Sequence, residues 1–188
     1  MLRIDDAHKQ DPRKATVNGI DTPYEYHYAE KMTHYLNLRS PDASEVLKIA
    51  IRAQHLRRWE VPRNSYPMTR PGYYSWRTFL KKQQAEQAKQ ICIESGLKEE
   101  DAERVASLIR KEDLKNDEET QILEDVACLV FLDDQFEEFK HKYDDDKEKM
   151  INILKKTWVK MSPKGHELAL AIPMGDEAKL LITAALSN

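Results

Sequence analysis

Ile122-Leu123-Glu124-Asp125-Val126-Ala127-Cys128-Leu129-Val130-Phe131-Leu132 is the stretch that decides the fold, because every position in it is apolar except 124 and 125. A helix that is apolar on all sides is buried on all sides. The segment therefore predicts a central helix, extending over about 117–141, with Cys128 buried inside a bundle of other helices.

Asp125 is the unusual residue of this helix. At about 100° per residue, its side chain falls within an apolar row made of Ile122, Cys128, Leu129, Leu132 and Phe136. An ionised carboxylate in that position is costly unless it is paired, hydrogen-bonded or bound to a metal. Two interpretations stay open: a buried salt bridge to an arginine or lysine, or a metal-binding or catalytic carboxylate.

Start and stop signals on either side of this segment predict further helices. Helices are expected over 23–39, 40–58, 73–95, 98–111 and 146–160, with short ones starting at Ser162-Pro163 and Gly175-Asp176. No strand-length alternating pattern competes with them. The prediction is an all-α protein: an N-terminal arm at 1–22 with a turn at Asn18-Gly19, and one globular bundle of seven or eight helices at 23–188.

Composition limits the function classes. The chain has 188 residues, 34% of them charged, and its 30 basic and 33 acidic residues leave a net charge of −3. This balance argues against bulk nucleic-acid binding, although it leaves a local basic patch open. Five glycines argue against a Rossmann domain or a glycine-rich phosphate loop, and two cysteines against a disulfide framework. The longest apolar run, 126–132, is too short to span a membrane, so we expect a cytoplasmic or nuclear protein.

A histidine and three arginines near the end of the second predicted helix are the first candidate site. His55 continues the apolar row of Leu47 and Ile51, whereas Arg57, Arg58 and Arg63 cluster where the helix should end. A guanidinium group can bind phosphate or carboxylate through two parallel N–H···O hydrogen bonds. We therefore expect these arginines either to hold an anionic ligand or to pair with acidic side chains of the bundle, and we expect His55 to approach Asp125.

The next predicted helix offers a second carboxylate and more cations. Glu86 lies seven residues from both Phe79 and Ile93, so it is a candidate for an inward-facing acid. Lys82 lies near it, beside Arg77 and Lys81. The proline-rich segment 61–72 connects the arginines to this helix, and long ordered loops are often functional. This segment is expected either to wall a basic cleft or to pack over one end of the bundle.

Four segments of the chain carry a resemblance to a known family. They are 53–63 (AQHLRRWEVPR), 74–82 (YSWRTFLKK), 121–139 (QILEDVACLVFLDDQFEEF) and 156–170 (KTWVKMSPKGHELAL). The chain resembles an uncharacterised family of bacteria and fungi, whose fungal members are often labelled glutamyl-tRNA synthetase-like. The segment 160–164 (KMSPK) is similar to the KMSK-type loop of class I synthetases, but that loop works beside an α/β nucleotide-binding domain. We therefore expect no synthetase activity, and we interpret this segment as a helix end followed by a helix start.

A more distant resemblance is to the histidine–aspartate (HD) superfamily of all-α metal-dependent phosphohydrolases. His55 resembles the histidine of that superfamily's His-Asp pair, and Asp125 resembles its late aspartate. Three positions depart from the pattern: Leu56 replaces the aspartate of the pair, Tyr28 replaces the first histidine, and Gln84 occupies another position that is often histidine. In that family a metal polarises a phosphoryl oxygen and activates water. The resemblance implies a divalent metal (Mn, Mg or Fe) on His55, Asp125 and Glu124.

Two classes of function follow. The first is a degenerate HD-type hydrolase of a phosphate-bearing small molecule or nucleotide, with His55, Asp125 and Glu86 as catalytic residues. Its anion-binding residues would be Arg57, Arg58, Arg63 and Lys82. The second is a non-catalytic binding or scaffold protein, with a tRNA-linked role included, in which the same charges form a structural ion network. No membrane partner is expected in either class.

Overall fold

The computed structural model describes residues 1–136, 146–173, 175 and 181–183. The elements in this part are α1 (Leu2–His8), β1 (Lys14–Val17), β2 (Ile20–Pro23), α2 (Tyr24–Arg39), α3 (Glu45–Arg52), α4 (Arg70–Glu94), α5 (Glu99–Arg110), α6 (Glu118–Val130), α7 (Lys147–Val159) and α8 (Pro163–Leu170). Short 3₁₀ turns lie at Arg58–Glu60 and Arg63–Ser65, and a π-helical turn at Phe131–Gln135. The predicted all-α class is confirmed.

Helix α6 is the centre of the bundle, as its apolar sequence predicts. Leu123, Val126, Leu129 and Val130 are completely buried. The helix packs along α2 and also touches α3, α5 and α8, while α4 packs along α5. Cys128 is buried and unpaired, and burial together with the charge of Glu124 raises the pKa of its thiol to about 12.

A small hairpin lies in the segment that was expected to be an arm. Strands β1 and β2 are antiparallel and joined at Asn18-Gly19, whose φ angles of 51° and 78° suit the turn that right-twisted hairpins prefer. The predicted turn is confirmed. The prediction that no segment forms a strand is wrong, because these two strands are present. Helix α1 precedes the hairpin, and its Ile4 and Ala7 belong to the hydrophobic core.

Three helix boundaries differ from the predictions, and local capping explains two of them. Helix α3 starts later than expected because the Ser44 hydroxyl accepts a hydrogen bond from the backbone N–H of Leu47 at 3.1 Å. It also ends at Arg52 rather than near 58. Helix α4 starts at Arg70, where the Thr69 hydroxyl accepts from Gly72 N at 3.2 Å.

Some sequence predictions lie outside the described residues. These are the end of the central helix beyond 136 and the helix start at Gly175-Asp176. Within the described residues, no helix is both long enough and apolar enough to cross a membrane.

Candidate functional site: a cluster of basic side chains

Asp125 is completely buried and fully engaged by protein groups. It accepts hydrogen bonds from Arg39 Nε at 2.8 Å, Gln121 Nε2 at 3.0 Å, Ser162 N at 2.8 Å and the Ser162 hydroxyl at 2.5 Å. Of the two interpretations left open by the sequence, the buried salt bridge is therefore the one observed. The partner is Arg39 rather than Arg57, Arg58 or Arg63.

The contact with Ser162 explains the KMSPK segment. Ser162 caps α8, because its hydroxyl accepts from Gly165 N at 3.1 Å while donating to Asp125. A Cβ atom at position 165 would lie 2.8 Å from Asp125 Oδ1, so only glycine fits beside the carboxylate. The segment is a helix junction, as expected, and Asp125 ties it to α2 and α6.

Glu124 faces a different direction from Asp125, because consecutive helical residues differ by about 100° around the axis. Its carboxylate pairs with Lys111 at the end of α5 and lies 3.5 Å from Lys160 Nζ at the end of α7. Burial alone would raise the pKa of Glu124, but these two lysines lower it below its usual value. Glu124 is therefore an ionised carboxylate held by two cations.

His55 lies in the irregular segment after α3, so the helical row from Leu47 through Ile51 does not place it. Its backbone has the left-handed φ of 61°. Its ring stacks on Tyr28 with centroids 4.1 Å apart and planes 15° apart. Arg58 Nη1 donates to His55 Nε2 at 2.8 Å. Because arginine keeps its protons, Nε2 must be the acceptor, and the proton of this imidazole is on Nδ1.

The electrostatic surroundings keep His55 neutral. Burial lowers its pKa well below the usual value, and the positive charges of Arg58, Arg77 and Lys111 lower it further. A neutral imidazole next to a guanidinium accepts a hydrogen bond without adding to the positive charge.

His55 and Asp125 do not form the single polar centre expected from the sequence. Their partners on α2, Tyr28 and Arg39, are eleven residues apart, about 16 Å along a helix that rises 1.5 Å per residue. The metal set of His55, Asp125 and Glu124 is likewise not assembled, because each side chain has separate protein partners. No group of three His, Cys, Asp or Glu side chains suited to a metal occurs among the described residues.

Glu86 is exposed, which corrects its expected role as an inward-facing acid. The face that it shares with Phe79 and Ile93 points to solvent, and those two side chains are 43% and 39% exposed. Helix α4 buries another face instead, formed by Trp76, Leu80, Gln84, Ala85, Ala88 and Cys92.

Three of the four predicted anion-binding residues do not lie together in one site. Arg57 lies by Glu60, with Nε 3.9 Å from Oε1. Arg63 donates to the carbonyl oxygens of Tyr66 at 3.0 Å and Pro67 at 2.8 Å, and so closes the loop before α4. Lys82 is exposed, and its neighbour Lys81 is half-buried. The expected pairing of these arginines with Glu86, Glu124 or Asp125 is therefore wrong.

Arg58 is the predicted anion-binding residue that lies in a charged cluster. Its guanidinium lies over the ring of Trp76, 4.7 Å from the centroid. Burial and the charge of Arg77 both lower its pKa. We use the term basic site for Arg58 together with four cations from three other helices or their ends: Arg77, Lys81, Lys111 and Lys160.

The pKa of Lys81 indicates which charged groups lie near its ammonium group. Burial lowers it, the charges of Lys111, Arg77 and Lys160 lower it further, and only Glu124 among the named groups opposes them. Charges interact more strongly the closer they lie. Arg77, Lys111, Lys160 and the Glu124 carboxylate therefore lie near Lys81, and Arg58 joins them beside Arg77.

Part of the basic site lacks partners. Among the described residues, Arg77 and Lys81 make no ion pair or hydrogen bond through their side chains, and Arg58 has no carboxylate partner. Gln84 lies seven residues after Arg77, on the same face of α4. It is 6% exposed, and its amide Nε2 has no hydrogen-bond partner. An unsatisfied buried donor beside unpaired cations is the arrangement that an anionic ligand would complete.

Sequence reasoning missed two members of the basic site. Lys111 and Lys160 each follow a helix, and nothing in their local sequence indicates that they converge on Glu124. Arg77, Lys81 and Gln84 did carry a signal, because their spacing of four and three residues puts them on one helix face.

The fold and the site together describe an all-α protein with a partly buried, electropositive site between its helices. The chain belongs to the family described as Domain of unknown function (DUF4202), whose sequence profile matches residues 1–182. No curated protein and no solved structure matches the chain.

Proposed function

We propose that this protein binds a phosphate-bearing small molecule or nucleotide at the basic site. The observation that carries the proposal is the set of unsatisfied groups on one face of α4: the cations Arg77 and Lys81 and the buried amide of Gln84. Uncompensated cations that repel one another cost folding free energy. A ligand phosphate would supply the missing negative charge and hydrogen-bond acceptors.

The geometry around Arg58 favours phosphate over a simple carboxylate. Arg58 is fixed by Trp76 on one side and by His55 on the other, so its guanidinium fork is already ordered before a ligand arrives. Four parts of the chain contribute cations, and a phosphate group has enough oxygens to accept from all of them. Glu124 holds Lys111 and Lys160 in place without cancelling the excess positive charge.

A thermal-shift experiment tests the proposal. Inorganic phosphate, pyrophosphate and nucleoside mono- and triphosphates are added to the wild type and to the single variants Arg77→Ala, Lys81→Ala and Lys82→Ala. We expect at least one phosphate to raise the melting temperature of the wild type, since a ligand that binds only the folded state stabilises it. Arg77→Ala and Lys81→Ala should reduce or remove this rise.

Lys82→Ala is the matched control, because it removes the same charge from an exposed position of the same helix and should keep the response. The proposal fails if no phosphate shifts the wild-type melt, or if Lys82→Ala loses the response to the same extent as Lys81→Ala. Chloride at matched ionic strength separates phosphate binding from general screening.

Hydrolysis of the bound phosphate compound, as in a degenerate HD-type enzyme, is the second candidate function. The observation that favours it is His55, a neutral imidazole on a left-handed backbone, since such strained positions cluster at active sites. Nε2 is the basic atom of this imidazole, and it can accept a proton from water once Arg58 turns from it to a bound phosphate. Release of phosphate is measured with and without Mg²⁺ or Mn²⁺, and His55→Gln should remove a turnover that wild type shows. Binding without turnover leaves the protein in the non-catalytic class.

A further inference from the structure

The end of the connection before α4 and the first sixteen residues of α4, together residues 61–85, have an unusual composition. Residues 61–85 contain no aspartate or glutamate, although the whole chain has 33 of them. The same segment contains five cations and five aromatic side chains: Arg63, Arg70, Arg77, Lys81, Lys82, Tyr66, Tyr73, Tyr74, Trp76 and Phe79. Among the described residues, none of these five cations forms an ion pair with a carboxylate.

Several of these aromatic rings are exposed beside the cations. Tyr73 is 43% exposed, Tyr74 54% and Phe79 43%. The guanidinium of Arg70 lies 5.7 Å from the centroid of the Tyr74 ring, and its Nε donates to the Tyr74 hydroxyl at 3.3 Å. Large exposed aromatic groups are uncommon on a surface that meets only water, and they often mark a binding site.

The exposed aromatic surface leads into the basic site. Arg70, Tyr74, Arg77 and Lys81 follow one another at spacings of three or four residues, so they form one stripe along α4. Lys156 of α7 acts electrostatically on this stripe: the hydrogen bond and the charge of Arg70 lower the pKa of Tyr74, and the charge of Lys156 lowers it further. Lys160, one turn after Lys156, acts in the same way on Lys81.

We infer that this stripe binds a single-stranded nucleic acid, with bases stacked on Tyr73 and Tyr74 and phosphates held by Arg70 and by Lys156 of α7. Single strands are recognised by cations that follow the backbone and by aromatic rings on which bases stack. From Arg70 to Lys81 the helix rises about 16 Å, which is longer than a mononucleotide needs. The negative net charge of the chain does not oppose this, because the positive charge is local. The inference goes beyond the proposed function, since its central residues lie outside the basic site.

Fluorescence anisotropy with labelled 12-nucleotide single strands of oligo(U) and oligo(dT), and with a duplex of the same length, tests the inference. We expect the single strands to bind more tightly than the duplex. Tyr74→Ala should weaken binding about fivefold or more, the lower end for loss of one base–aromatic stack. Tyr74→Phe, which keeps the ring, should bind almost as well as wild type. Comparing oligo(U) with oligo(dT) shows which nucleic acid is preferred.

Charge variants provide the matched controls. Arg70→Ala should weaken binding and reduce the slope of log affinity against log salt by about 0.7. Lys98→Ala removes an exposed charge beyond the other end of α4 and should change nothing. The inference is overturned if single strands do not bind at low salt, if Tyr74→Ala binds as well as wild type, or if Lys98→Ala matches Arg70→Ala. Tyr74→Ala should retain the thermal shift with phosphate, so this test and that of the proposed function fail separately.

Discussion

His55 shows how a single residue combines backbone strain with an altered charge state. Non-glycine residues with positive φ are uncommon, and both His55 and Arg57 have it, at 61° and 50°. The stacked ring of Tyr28 and the hydrogen bond from Arg58 hold His55 in this conformation. Nothing in the sequence indicates that a helix stops before this residue. The prediction that His55 is functionally placed therefore rested on a helical row that does not exist.

The neutrality of His55 predicts a dependence of stability on pH. Its pKa is lowered in the folded state, whereas in the unfolded chain it is about 6.5. Below about pH 6.5 the unfolded state binds the proton more readily, so the free energy of unfolding must fall as the pH falls. Between pH 7 and pH 5 this residue should account for a loss of up to about 2 kcal/mol.

Urea unfolding of wild type and His55→Asn at these two pH values measures this contribution. Asparagine tolerates positive φ better than most residues, so the variant keeps the backbone conformation while removing the titrating group. The wild type should lose more stability on acidification than the variant. Equal losses in the two proteins would show that His55 does not stay neutral in the fold.

At the scale of elements, helix α6 was predictable and its connections were not. Apolar residues on every side fix its burial, and they put Asp125 inside the bundle. The carboxylate's partners, Arg39 and Ser162, are far away in the sequence, and tertiary packing alone brings them together. The hairpin was missed because four-residue strands leave too short an alternating pattern, although its turn residues were recognised.

The junction of α2, α6 and α8 at Asp125 predicts a large loss of stability on substitution. Asp125→Ala leaves the largely buried guanidinium of Arg39 without a counter-ion and removes the group that holds the cap of α8. The free energy of unfolding should fall by about 3–5 kcal/mol. Glu86→Ala is the control, because this exposed carboxylate should change stability by no more than about 0.5 kcal/mol. Equal effects of the two substitutions in a urea titration would rule out the buried pair.

At the scale of the whole molecule, charge is distributed unevenly over a chain whose net charge is −3. Acidic residues neutralise cations over much of the bundle, as at Asp125 and Glu124, but within the described residues Arg58, Arg77 and Lys81 remain without carboxylate partners of their own. The sequence suggested a basic cleft near Arg58. It did not identify the members from α5 and α7, because convergence of helix ends is a property of the assembled fold. Cations that repel one another in a partly buried site do not stabilise the fold, so their presence favours a role in binding.

The most direct test of the basic site is the affinity for a nucleoside triphosphate, measured by isothermal titration calorimetry on wild type and the double variant Arg77→Ala/Lys81→Ala. Our account predicts one binding site per chain, an affinity that decreases with added salt, and a loss of at least about tenfold in the double variant, corresponding to about 1.4 kcal/mol. The double variant should be at least as stable as the wild type without ligand, since the two cations repel their neighbours and have no partners to lose in the described part of the chain. Absence of binding to wild type, or unchanged affinity in the double variant, would contradict the account.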